Sequence, residues 1–401
     1  MKNLIRRFYR KFRAEFLQRI ITKSSAQIQE DEKLCIEVIG FFHSISGIGE
    51  SARLCAQQLQ NDGYKVNCVS VEGFFRKPKE IEWQWENHLP SQQINCRIYH
   101  LNPPMLPPVI IQMGIGNFKT TYNIGYWAWE LETIPKEWIS AMRYMNCIMT
   151  PSEFTSNAIK KHTTIPVITV THPVTIEIPD INIRNRLNIP QDAFLISNIF
   201  SFGSAMERKN PMGLITAFKS AFNGNKNVYL ALKANSGKNS KEKQELLEEI
   251  AAYPNIILID EQWERREILG LIHTSNLYAS LHRSEGFGLT LAEALLLGVP
   301  TMTTAWSGNM DFCTEDNSFM ISYKPITVAS NHPEFQGLKN ATWADADIEQ
   351  TTDLLKEITG NPELLVHKKQ YCISQMQEII DSKKYSHALK RLNAEKNQAV
   401  H

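Results

Sequence analysis

Two hydrophobic periods alternate along most of the chain. Short apolar runs read as buried strands at residues 34–42, 65–71, 95–100, 122–129, 147–150 and 167–170, and again at 193–200, 228–233, 256–259, 276–281, 299–303 and 319–323, the last expected strand. Between them, apolar positions recur at helical spacing over 47–60, 135–144, 151–161, 211–222, 242–252, 265–273, 289–297 and 348–358. Strands that alternate with helices predict parallel sheets covered on both faces, the α/β class. A proline-punctuated stretch over 172–190 interrupts the alternation and marks a domain boundary. The expected organisation is a Rossmann-like domain over 31–178, a second over 179–384, and a closing helix over 385–401. Residues 73–95, with Trp83 and Trp85, fit neither period.

The first 30 residues stand apart. Leu4, Ile5, Phe8, Tyr9, Phe12, Phe16, Leu17, Ile20 and Ile21 fall on one helical face, and eight Lys and Arg residues fill the rest of 1–23 against Glu15 alone. Charge runs through the segment, unlike a secretory signal. It reads as a basic amphipathic helix on an anionic membrane surface, or as a helix packed on the protein or a partner. Residues 24–33 read as a polar linker. No apolar run is long enough to span a bilayer.

At 401 residues a single core is improbable and two domains are expected. A net charge of +1 argues against bulk nucleic-acid binding. The seven dispersed cysteines read as reduced, buried thiols, which suits a cytoplasmic protein.

Five stretches carry candidate chemistry. Gly47-Ile48-Gly49-Glu50-Ser51-Ala52 opens the first helix, with Glu72 at the tip of the next strand, and copies a dinucleotide fingerprint. Its misfit is the gap between the first strand and Gly47. His100 ends a strand where α/β proteins bind ligands. Trp129 and Glu130 close another strand, which suits either a sugar platform or an aromatic core corner. Arg208 and Lys209 lie between a strand and a helix, well placed for a diphosphate.

The fifth stretch, 276–303, is the most informative. A loop with Glu285, Gly286, Phe287 and Gly288 joins a strand to a helix that starts at Leu289, and Glu293 lies one turn into that helix. Helix N-termini present amides and a positive dipole end to phosphates. This suits a nucleotide-sugar, with its diphosphate on the amides, its sugar against Glu285 and its ribose against Glu293. The Asp345-x-Asp347 pair precedes a helical pattern, so helix capping accounts for it better than metal binding.

The run Ser280-Leu281-His282-Arg283-Ser284-Glu285-Gly286-Phe287-Gly288-Leu289, then Glu293-Ala294, Gly298-Val299-Pro300 and Ser307-Gly308-Asn309-Met310-Asp311-Phe312, resembles the donor site of family 4 retaining glycosyltransferases of the GT-B fold. The Glu-x7-Glu spacing is that group's signature. The resemblance implies two Rossmann-like domains facing a cleft, with the last helix crossing back to the first domain. It implies a nucleotide-sugar donor, no cofactor and no metal. Glu285, Lys209 and Arg208 are the expected catalytic residues. Glu293 and the 286–289 turn bind the nucleotide, with Gly47 and Gly49 approaching its phosphates. His100, Trp129, Glu130, His282 and Arg283 are candidate substrate contacts. One position departs from the pattern: the family's phosphate-binding arginine corresponds to Ser204, which leaves Arg208 to supply a guanidinium. The basic helix adds an expectation of a glycan or lipid-linked glycan acceptor on the inner face of a bacterial membrane. The rival readings are an NAD-dependent oxidoreductase using Gly47, Gly49 and Glu72, and a non-catalytic GT-B scaffold.

Overall fold

The computed structural model describes residues 19–28, 34–86, 89–90, 93–235 and 240–397. The chain divides into two units. The first comprises residues 1–129, 134–173 and 382–401, and the second 130–133 and 174–381.

In the first unit, β1 (Cys35–Gly40), β2 (Lys65–Ser70), β3 (Cys96–Tyr99), β4 (Tyr122–Tyr126), β5 (Cys147–Thr150) and β6 (Val167–Thr169) form one sheet in the order β2-β1-β3-β4-β5-β6. Every pairing in it is parallel. Ile36, Val38, Ile98 and Ile124 form a core with Ala52, Cys55 and Leu59 of helix Gly47–Asn61. Tyr385, Leu389 and Leu392 of the last helix, Tyr385–Asn397, belong to the same core. Trp83 stacks on Phe42 at 4.4 Å and Trp85 on Trp83 at 5.4 Å. This explains the aromatic residues of the stretch that fits neither period. Helix Leu106–Met113 was not expected: its prolines fall in the first turn, where the missing N–H costs nothing.

The expected basic helix falls largely on residues 1–18, which lie outside the described residues. Residues 24–28 correct the expectation of a polar linker. Ile21, Ser24 and Ile28 are buried. The Ser24 hydroxyl donates to the Lys119 carbonyl at 2.8 Å, and the Asn146 amide donates to the Ser24 carbonyl at 2.9 Å. Two apolar anchors and two hydrogen bonds tie this stretch to the first unit.

In the second unit, β7 (Phe194–Ser201), β8 (Val228–Asn235), β9 (Ile256–Ile259), β10 (Leu277–Ser280), β11 (Thr301–Thr304) and β12 (Ser318–Ile321) form a sheet in the order β12-β11-β10-β7-β8-β9. This sheet is also parallel throughout. Residues alternate between its faces, as a strand requires. Ile196, Leu230 and Leu232 pack with Leu214 and Phe218 of helix Pro211–Phe222, while Leu195 and Ala231 pack with Ile183, Trp263 and Leu271. The strand order reverses beside β7, between β8 and β10, so a crevice opens beyond the carboxyl ends of β7 and β10.

β12 is not the last strand. The chain continues into an antiparallel pair, β13 (Tyr323–Thr327) and β14 (Thr342–Ala346). Lys324 faces Asp345 in its register, so Asp345 is a strand residue. Asp347 does cap a helix: its carboxylate accepts from the Gln350 amide at 3.0 Å and opens Ile348–Gly360. The pair escaped the hydrophobic pattern because β13 is short, half-exposed and contains Pro325.

Candidate active site

The site is built at the carboxyl ends of β7 and β10. Beyond β7 the chain makes a tight turn over 202–205 and a single helical turn, Met206–Lys209. Asn210 then reverses direction with φ at 49°, a region that asparagine tolerates better than most residues. Its side chain accepts from the Gly213 amide at 3.2 Å, which caps helix Pro211–Phe222, and donates to the Leu281 carbonyl at 2.9 Å. One residue therefore starts the helix and ties this turn to the end of β10.

The turn after β10 is fastened from both sides. The Arg283 amide donates to the Arg208 carbonyl at 2.7 Å, and Arg208 Nη1 donates to the Ser284 carbonyl at 2.9 Å. The Glu285 amide donates to Ser307 Oγ at 2.8 Å, and the Gly308 amide donates to the Glu285 carbonyl at 2.9 Å. Ser307 holds φ at 80° and ψ at −150°, a conformation that costs on the order of 1–3 kcal/mol. Any Cβ on Gly308 would lie 2.3 Å from the Gly286 carbonyl oxygen, so this close approach demands glycine. Gly288, at φ 100°, turns the chain into helix Leu289–Leu296.

These contacts bring Glu285, Arg208 and Lys209 together. Glu285 is 9% exposed. Arg208 Nη1 lies 3.2 Å from Glu285 Oε2, and Lys209 Nζ pairs with Oε1. Burial pushes the Glu285 carboxyl up, but Lys209 and Arg208 outweigh it and hold the carboxyl down at about 2. Glu130, one of the residues 130–133 grouped with this unit, adds a second carboxylate 3.6 Å from Arg208 Nη2. Burial pushes it up to about 7; Arg208 and Lys209 oppose the rise, and Glu334 and Glu285 add to it.

Glu130 predicts a pH dependence. Its folded value is raised, so it is neutral at low pH and becomes an anion beside Arg208 as pH rises through about 7. Affinity of the site for an inorganic or nucleotide diphosphate is expected to fall over that range in wild type. It should fall less in Glu130→Gln, with calorimetric titration between pH 6 and about pH 8 as the check.

The other expected residues separate into groups. Glu293, 2% exposed, accepts from Arg265 Nη1 at 2.6 Å, a partner on helix Arg265–His273 that the sequence pattern marks only as a helix start. Phe287 is buried against Phe312. His282 is wholly buried, with Nδ1 3.2 Å from Ser280 Oγ and Nε2 3.1 Å from Asn309 Oδ1, so it holds the turn from behind. Burial keeps it neutral over a wide range by lowering its pKa. Arg283 is committed to Asp345 and to the Glu207 carbonyl.

His100, Trp129, Gly47 and Gly49 lie in the first unit. His100 has no exposed surface; its Nδ1 lies 2.8 Å from Ser51 Oγ and its ring stacks on Tyr126 at 4.6 Å. Trp129 is 2% exposed and packs 4.8 Å from Trp138 with Trp127 nearby, the arrangement of an aromatic core corner. A Cβ on Gly49 would meet the Phe41 and Ser44 carbonyls at 2.6 Å, and its amide serves the Ser46 cap. Close packing of the preceding loop thus accounts for that glycine and for the long gap before it. Glu72 accepts from the His43 amide at 2.6 Å and from the Ser70 hydroxyl.

Comparison with solved structures defines the fold. Sucrose-phosphate synthase from Thermosynechococcus elongatus superposes with a TM-score of 0.64 at 11% identity, covering 92% of this chain and 99% of that one. HepE from Anabaena, solved in complex with UDP and glucose, gives 0.62 at 11% identity, covering 92% and 99%. WaaG, a glycosyltransferase involved in lipopolysaccharide biosynthesis, gives 0.56 at 14% identity, covering 89% and 97%. At these identities the likeness is one of fold, and the fold is GT-B. Residues 181–325, which lie in the second unit, match the family model for Glycosyl transferases group 1. No curated protein matches the sequence.

Proposed function

We propose that the protein transfers a hexose-type sugar from a UDP- or GDP-linked donor to a hydroxyl of a glycan or lipid-linked glycan, with the anomeric configuration retained. The observation that carries this reading is the cluster of Lys209, Arg208 and Glu285 at the switch point of the second sheet, within the stretch that matches Glycosyl transferases group 1. HepE was solved with UDP and glucose, and this supports a nucleotide-sugar donor here.

In this reading the bond between the anomeric carbon and the diphosphate oxygen breaks, and a bond to the acceptor oxygen forms on the same face. A phosphate oxygen takes the acceptor's proton. Lys209 and Arg208 stabilise the negative charge that builds on the leaving diphosphate, helped by the amide end of helix Leu289–Leu296. Glu285 orients the sugar through its hydroxyls, and Glu293 holds the ribose. Two cations share Glu285 in the site, and Arg208 also faces Glu130, so an incoming diphosphate competes with these carboxylates for charges already positioned to receive it.

Two measurements test this. UDP, GDP and their sugars are screened for a rise in melting temperature, which binding produces by mass action. Donor hydrolysis is then assayed with and without excess EDTA. Hydrolysis that persists in EDTA is expected, because side-chain cations and helix amides carry the charge. Complete loss restored by magnesium or manganese would overturn metal independence, and binding without any turnover would favour a non-catalytic scaffold. The oxidoreductase reading loses its support because Glu72 is engaged by His43 and Ser70, and the space beside Gly49 is filled.

WaaG's description and the basic segment over 1–23 together support a place in bacterial cell-surface polysaccharide synthesis at the cytoplasmic membrane face. Among the described residues no helix is long and apolar enough to cross a membrane. Full-length protein is expected to sediment with anionic vesicles at low salt and less at high salt, since each basic residue near the surface contributes about 1 kcal/mol. A truncation that removes residues 1–18 should abolish this and keep the packed residues Ile21, Ser24 and Ile28. Unaltered vesicle binding by the truncated protein would assign the contact elsewhere.

A further inference from the structure

The antiparallel pair β13–β14 and its connecting loop touch the cation-bearing turn at several points. Arg283 is the hub. Its Nε and Nη2 donate to Asp345 Oδ1 on β14 at 3.0 and 2.8 Å, and its Nη1 donates to the Glu207 carbonyl at 2.7 Å. Its own amide reaches the Arg208 carbonyl, and its carbonyl accepts from the Ala344 amide at 2.9 Å. Farther along the loop, Ser330 Oγ donates to Glu207 Oε2 at 3.0 Å, and His332 Nε2 lies 3.4 Å from the Gly203 carbonyl. The pair and its loop therefore reach Gly203 and Glu207 directly, and the Arg208 carbonyl through Arg283.

Asn210 ties the far end of the turn to the Leu281 carbonyl, and these contacts hold the rest of it. Met206–Lys209 is a single helical turn, too short to be stable by itself. Arg283 replaces missing helix length with hydrogen bonds to the carbonyls of Glu207 and Arg208. Asp345 in turn fixes the planar Arg283 guanidinium, which satisfies carboxylate and carbonyl acceptors in one geometry. Arg283 bears its charge toward Asp345 and the backbone, so it acts through its neighbours.

We propose that Arg283, held by Asp345, is a positioning residue that sets the direction of Arg208 and Lys209, and that the β13–β14 pair thereby tunes the affinity of the site for the donor's diphosphate. The proposal rests on the donor-site reading above. The test is calorimetric affinity for UDP and GDP in wild type, Arg283→Ala, Arg283→Lys, Asp345→Asn and the double variant Arg283→Ala/Asp345→Asn, each with its melting temperature. If wild type binds neither nucleotide, the donor-site reading fails. If it binds, Arg283→Ala is expected to weaken affinity about tenfold and Asp345→Asn about threefold, with the double variant no weaker than Arg283→Ala. Arg283→Lys should keep the charge but not the fork, and should fall close to Arg283→Ala. Wild-type affinity in Arg283→Ala, even with a lowered melting temperature, would overturn the proposal and leave a merely structural brace. Full recovery in Arg283→Lys, or effects that multiply in the double variant, would also overturn it.

Discussion

Lys209→Met is expected to lower sugar-transfer turnover roughly 100- to 1,000-fold, the range seen when one preorganised donor to a developing anion is removed. Lys209 pairs with Glu285 from a turn pinned by Asn210, so its ammonium is held before any donor arrives. A fixed charge acts on the transition state without reorganising, and this is why the loss falls on turnover. Affinity for the nucleoside diphosphate should fall less, about tenfold, because Arg208 and the helix amides remain. The variant should also release the Glu285 carboxyl upward from about 2, since Lys209 is the first of the charges that hold it down against burial. Steady-state rates beside calorimetric affinity separate the two effects. Turnover close to wild type would remove Lys209 from the chemistry.

Glu285→Gln and Glu293→Gln are expected to fail in different ways. Glu285 lies between two cations and is nearly buried, and the sugar is its proposed partner. Glutamine there keeps the shape but removes the charge, so turnover should drop while nucleoside diphosphate still binds. Binding of the bare diphosphate should hold or strengthen, because a competing carboxylate is gone. Glu293 sits one turn into helix Leu289–Leu296 with Arg265 on one oxygen, and the ribose is its proposed partner. Glu293→Gln should weaken nucleotide binding itself. A hydrogen bond to a charged group contributes roughly 1.5–3 kcal/mol, about ten- to a hundredfold in either quantity. The decisive comparison is the ratio of rate loss to affinity loss in the two variants. If that ratio is the same in both, the division of sugar and ribose between the two glutamates is wrong.

Much of this protein is legible in one dimension. Strands buried on both faces read as near-continuous apolar runs, so β1, β5, β8 and β10 stand out from their helices without knowledge of their neighbours, even with Glu37 in β1 and Lys233 in β8. Helix starts are local too: Ser46, Ser152 and Asp347 each accept from an amide three positions on. The 285–293 spacing is equally local, since a loop and one helical turn set it. The α/β class and the donor-site resemblance both follow from such short-range patterns.

What the chain order could not show are contacts between residues far apart in it. Arg283 meets Asp345 across 62 positions, Arg208 meets Ser284 across 76, and Arg265 meets Glu293 across 28. Polar pairs of this kind leave no periodic trace, because each partner alone looks like a solvated charge. The same holds for Ser24 with Asn146, which turned an expected linker into packed structure, and for Trp83, whose stacking partner Phe42 lies on another loop and which in turn stacks with Trp85. The sequence by itself determined the layers, because burial of apolar surface is written residue by residue. The tertiary structure alone decided which charges face one another in the site, because a charge finds its partner only when the sheet has brought two loop ends together.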